Sequence, residues 1–302
     1  MIKFSIPDSA IVRDLNILML RAFRDHREWF YEDFIIETAY GCPLFSPWNG
    51  NRSTIELLKS PTLDGIADLY DSYREYQVDY RLTFTNFLLR TEHLYDTVGN
   101  ALARVLNEKG GYVTLSIPLM ENHIRINYPN LKICWSVTTE YYEGVNTINE
   151  VLSKDMIVIL PIEYNNNEEV LQKLVHKENV EILLNENCVD NCPRRKEHFT
   201  RANQIHLLER YPQPDDEICF FSSDFFPGLP RTRVVDRKGI EMCVKNGVDH
   251  FKIAGRQDDN FTFGSYLEYL VLPDRGYDFA HYLKNNGMDY MNYFAKSGGE
   301  KK

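Results

Sequence analysis

The sequence has no long apolar run. The longest, Met156 to Ile162, is seven residues and includes a proline, against the ~18 that a membrane span needs. It has no basic surplus either. Lys and Arg number 34 against 44 Asp and Glu, a formal net charge of −10, which argues against a protein held to nucleic acid chiefly through phosphates. Cysteine is sparse, 6 in 302 residues, too few for a disulfide scaffold, so we expect a reducing compartment. No G-x-G-x-x-G follows the first apolar run, and a Rossmann-type dinucleotide site is without support. Neither G-x-S-x-G nor H-E-x-x-H occurs, which leaves serine-hydrolase and zinc-peptidase mechanisms without a motif. The residues from Met1 to Asp8 hold no signal-peptide apolar stretch, and the expectation is a cytoplasmic protein away from membranes.

What is present is globular. Hydrophobic residues make up 43% and charged residues 26%, which excludes disorder and fibrous repeats. With 19 Tyr, 17 Phe and 3 Trp, the chain can bury a large core and still show amphipathic side chains to solvent. Eight short β-branched runs alternate with longer amphipathic stretches. They are Ile2–Ile6, Asp33–Thr38, Tyr80–Thr85, Tyr112–Ser116, Leu131–Val137, Met156–Pro161, Val180–Asn185 and His250–Gly255. After the first run, Asp8 is placed to cap a helix carrying Ile11, Leu15, Leu18, Met19 and Phe23 at helical spacing. This alternation predicts an α/β protein, a single (β/α)8 TIM-like barrel spanning residues 1–302, with a doubly wound open sheet as the alternative. The tail from Ser297 is expected to fray.

The spacing between runs is uneven. Roughly sixty residues separate the seventh and eighth, far beyond an ordinary connection. Residues 187–247 are therefore expected as an insertion over the C-terminal mouth, where barrel loops build active sites. The stretch opens on Asn187-Cys188-Val189-Asp190-Asn191-Cys192. Two thiols four positions apart near a helix start, beside Arg194, Arg195 and Lys196, can serve one metal as thiolates. A structural pair of unrelated cysteines reads as well from spacing alone, and the paired C-x2-C of zinc sites is absent. Cys219 lies later in the same stretch, and Cys42 follows the second run. Cys134, inside a run, and Cys243, beside Ile240 and Val244, read as small core hydrophobes packed among apolar side chains.

Three segments resemble the peptidase U32 family: VEILLNENCVDNC (Val180–Cys192) with the following PRRKEHF, GVDHFKIAGR (Gly247–Arg256), and YGCPLFSPWNGNR (Tyr40–Arg52). The resemblance implies a TIM-like barrel. In several branches it also implies a 4Fe–4S iron–sulfur cluster on four cysteines, among oxygen-independent hydroxylases of RNA bases and paired subunits that hydroxylate the ubiquinone ring. Cys188 matches the family's first cysteine. Cys192 and Cys219 are then the second and third ligands, with Cys42 the fourth by analogy with the ubiquinone branch. Three cysteines around a cluster with one open iron would also fit.

Polar residues gather at the ends of the predicted strands. Lys252, Ala254 and Arg256 share one side of the last, opposite Phe251 and Ile253. Glu163 and Asn165 follow the sixth, Asn185 and Glu186 the seventh, Asn86 the third, and Trp48, Asn49 and Arg52 the second. Lys252 and Arg256 are expected in the mouth, orienting a small-molecule or nucleobase-type substrate together with Glu163 or Glu186. A buried Lys252–Glu pair serving only the core is the structural alternative. His198, beside Arg and Lys near a helix start, reads as a surface residue. The functional expectation is an iron–sulfur hydroxylase. A non-catalytic barrel acting with a partner subunit, or a peptidase as the family name implies, are the alternatives.

Overall fold

The structure is a computed structural model and describes residues 1–8, 12–50, 62–138, 144–154, 156–165, 167–186, 192, 194–210, 234–255 and 259–297. Eight parallel strands close into a barrel in sequence order. They are β1 (Ile2–Pro7), β2 (Phe34–Gly41), β3 (Asp79–Phe84), β4 (Gly111–Leu115), β5 (Leu131–Trp135), β6 (Ile157–Ile159), β7 (Val180–Leu183) and β8 (His250–Lys252). Ring closure comes from β1 pairing with β8, Lys3 opposite His250 and Ser5 opposite Lys252. The open-sheet alternative is thereby excluded.

Each strand sorts its side chains by alternation. Ile2, Phe4 and Ile6, then Tyr80, Leu82 and Phe84, then Phe251 and Ile253 face the surrounding helices and form the main apolar core. The opposite set fills the barrel. Between the strands run α1 (Arg13–Asp25), α2 (Leu63–Arg74), α3 (Thr97–Lys109), α4 (Pro118–Asn127), α5 (Val145–Leu152) and α6 (Glu168–Lys173). Leu15, Met19 and Leu20 of α1 and Leu102 and Leu106 of α3 are the buried stripes that hold these helices to the ring.

The long connection from β7 to β8 contains α7 (Arg195–His206) and, further on, a helix at Arg237–Lys245. The second of these joins the outer ring, with Ile240 and Cys243 in the core as expected from their spacing. The first reaches the mouth loops. The Asn203 carbonyl accepts from Asn86 Nδ2 at 3.2 Å after β3, and the His206 ring stacks on Phe45 after β2 at 5.9 Å.

Asp8 does not cap the first helix. That helix begins at Arg13 behind Val12, with no side-chain cap. The Asp8 carboxylate is fully buried and accepts instead from Arg13 at 2.8 Å, Tyr73 at 2.6 Å and Tyr80 at 2.7 Å. Three donors, one of them charged, outweigh a single backbone amide. Asp8 thus ties the end of β1 to α2 and β3.

Candidate active site

A charged layer crosses the barrel's interior. Arg81 of β3 and Glu181 of β7 lie on opposite sides of the ring, both fully buried, and their side chains meet at 2.6 Å. Glu181 also accepts from Ser5 of β1 at 2.5 Å, and Ser5 accepts from Thr38 of β2 at 2.9 Å and from Arg81 at 3.0 Å. Burial alone would raise the Glu181 carboxyl, but Arg81, Lys252 and His250 outweigh it and hold the group at about 2. Nearer the N-terminal ends of the strands, Glu37 bonds His250 and pairs with Lys3 at 3.6 Å. Glu37 is the extra residue where the β1–β2 register shifts between Phe4 and Ser5, and the shift directs it towards His250.

Above this layer, at the C-terminal mouth, lies a cavity of about 60 Å³. One part of its wall carries hydroxyls, Thr83, Thr85, Thr114, Ser136 and Thr138, from β3 to β5 and the turns after them. Another part is apolar, with Ile159, Leu183 and Ala254 from β6 to β8. Lys252 and Tyr40 complete the wall where β8 and β2 flank β1. The Lys252 ammonium sits 3.7 Å from the centre of the Tyr40 ring, a cation–π contact. Tyr40 is fixed in turn by its hydroxyl, which donates to the Ile253 carbonyl at 2.6 Å.

The predicted site residues that the structure describes have different settings. Lys252 lines the cavity and is 8% exposed. Glu163 is not in the cavity wall: it pairs with Arg195 and fastens the start of α7 to the turn after β6. Glu186 is buried just past β7. Arg256, Cys188, Cys219 and Arg52 lie outside the described residues. Cys192 packs against the small apolar cluster of Ile159, Ile162, Leu183 and Ala254 at the mouth. Cys42 belongs to the main core, and its thiol donates to the Leu44 carbonyl at 3.2 Å. Among the described residues no three His, Cys, Asp or Glu side chains gather as metal ligands.

Cys134 departs from its expected surroundings. It is buried, but on the inward face of β5, near Arg81, Glu181 and Lys252 rather than among apolar side chains, and burial pushes its thiol up to about 11. The polar residues singled out at strand ends mostly staple loops. Trp48 Nε1 donates to the His93 carbonyl at 2.6 Å, Asn86 to Pro47 at 2.8 Å, Asn165 to Leu183 at 2.6 Å, and Asn185 to Ser265 at 2.8 Å.

Sequence reasoning missed Arg81, Glu181, Tyr40 and the hydroxyl wall. The signal was present in the alternation of Tyr80-Arg81-Leu82-Thr83-Phe84 and of Val113-Thr114-Leu115-Ser116. Strands that are apolar on one face and polar on the other, inside a closed barrel, make a polar interior.

The fold and this cavity define a parallel (β/α)8 barrel with a small, lysine-bearing polar pocket at its C-terminal mouth. A solved structure of the U32 peptidase Mk0906 has the same fold. The match covers 85% of this chain and 94% of that one, with a TM-score of 0.54 at 12% sequence identity. No protein-family model and no curated protein matches the sequence. Among the described residues no helix is long and apolar enough to cross a membrane.

Proposed function

We propose that this chain is a U32-type enzyme acting on a small polar molecule at the C-terminal mouth of its barrel, with Lys252 as the charged group that receives the substrate. The observation that carries the reading is the Lys252 ammonium beside Tyr40 in a hydroxyl-lined cavity, at the end of the barrel where loops supply function. Burying an ammonium inside a barrel costs several kcal/mol unless partners or a bound ligand compensate it.

The reaction we propose is oxygen-independent hydroxylation of an aromatic or nucleobase-type ring, with a 4Fe–4S cluster on Cys188, Cys192, Cys219 and Cys42. Its support is the resemblance of the three sequence segments, the fold shared with a U32 peptidase and the place of Cys192 against the mouth cluster. Cys192 fits such a ligand set. Cys42 fits it less well, since its thiol is directed to Leu44 within the main core. A bound cluster would supply electron-transfer chemistry. The chain's own residues would do the rest: Lys252 orients the substrate beside the hydroxyl-lined wall, and the Glu163–Arg195 pair holds α7 near the mouth.

Anaerobic purification tests the cluster. A brown protein with broad absorption near ~400 nm and about four irons per chain is expected, with iron lost in Cys188→Ser and Cys192→Ser. Cys42→Ser distinguishes the ligand sets: retained iron indicates three thiolates and an open iron. A colourless, iron-free protein under these conditions overturns the cluster.

A further inference from the structure

Most hydroxyls around the mouth are already engaged. Ser136 and Thr138 share a hydrogen bond at 2.9 Å, Thr138 shares another with Ser116 at 2.9 Å, and Thr85 donates to the Gly50 carbonyl at 3.2 Å. Thr114 differs. Its side chain lines the cavity, it is 1% exposed, and its hydroxyl has no hydrogen-bond partner. Buried hydroxyls are nearly always satisfied, so an orphan at a cavity wall points to a group that the cavity receives.

The charge nearby sets the sign of that group. Lys252 brings a cation to the same cavity. Lys252 is also among the charges that act on Glu181 in the layer beneath, whose two oxygens are engaged by Ser5 and Arg81. A volume of about 60 Å³ accommodates a few water-sized groups, enough for a carboxylate or phosphate, with any larger body extending out of the mouth. The apolar side at Ile159, Leu183 and Ala254 asks for a body without charge.

We propose that the cavity floor is an oxyanion subsite, in which the Lys252 ammonium and the Thr114 hydroxyl grip a carboxylate- or phosphate-type group while the substrate's body rises past Ile159 and Leu183. This rests on the reading of the mouth as the working site and adds the chemical class of what binds there.

Calorimetric titration of the purified full-length chain with sodium benzoate, inorganic phosphate and benzamide tests it. Saturable binding of benzoate or phosphate is expected, with the neutral benzamide at least about tenfold weaker, because a charged hydrogen bond is stronger than a neutral one. Lys252→Met should weaken the bound anion about tenfold or more, and Thr114→Val about threefold, by loss of those donors. Benzoate alone indicates a carboxylate substrate, and phosphate alone a phosphorylated one. Failure of both anions to bind overturns the subsite, as does unchanged affinity in the variants. If circular dichroism shows Lys252→Met unfolded, Thr114→Val decides alone. The titrations need neither iron nor turnover. An iron-free protein that binds benzoate through Lys252 removes the cluster and keeps the subsite. An iron-loaded protein blind to both anions does the reverse.

Discussion

Asp8 and Glu181 are fully buried carboxylates, and both are surrounded by donors from distant parts of the chain. Removing either charge leaves an arginine behind, Arg13 in one case and Arg81 in the other. Breaking such a pair costs more than never having formed it. Asp8→Asn should therefore lower stability by about 3 kcal/mol in urea unfolding. Glu181 makes a further prediction about pH. Its folded-state value of about 2 lies below the ordinary 4.5, so its contribution is complete above pH 4.5 and is lost as pH falls towards 2. Over that window the wild type should lose stability more steeply than Glu181→Gln. Equal slopes in acid unfolding of the two proteins would show that Glu181 is not held ionised.

At the scale of elements, the start of α3 shows how the mouth loops are set. Asp96 accepts from the Gly99 amide at 2.5 Å and from Ser46 at 2.9 Å, so one cap fixes both the helix and the loop after β2. Trp48 of that loop lies against Gly99, where a Cβ would come within 2.5 Å of the indole. Gly99→Ala should displace Trp48 and cost about 2 kcal/mol by overpacking. Because the Trp48 carbonyl accepts from the Asn86 amide at 3.1 Å, the loop after β3 should shift as well. Urea unfolding and tryptophan fluorescence would register both effects, and an unchanged midpoint would refute the close packing. The strands β5 to β8 are shorter than the runs that announced them. Leu131–Val137 and His250–Gly255 continue past Trp135 and Lys252, where the chain turns into the mouth.

For the whole molecule, closure is the governing fact. Every strand has two parallel neighbours, so no strand edge is left open among the eight. Two halves, residues 1–155 and 156–302, would each expose two edges and the charged interior. Expressed separately, neither should give a soluble monomer with cooperative unfolding. A half that does so in size-exclusion chromatography and circular dichroism would mean that the barrel is built from independent units.

The eight strands, their order along the chain and the face on which Lys252 lies are legible in the amino-acid sequence, because period-two alternation and strand–helix spacing are local properties of the chain. Cys243 was legible for the same reason, sharing a helical stripe with Ile240. What the inward faces meet depends on the folded ring. The Arg81–Glu181 pair joins residues 100 positions apart, and Asp8 found donors at Tyr73 and Tyr80 rather than at its own helix. Cys134 kept its burial but acquired charged neighbours. Alternation tells which side of a strand a residue occupies. Which strands face one another across the axis follows from closing the ring, and closure is a property of all eight strands together.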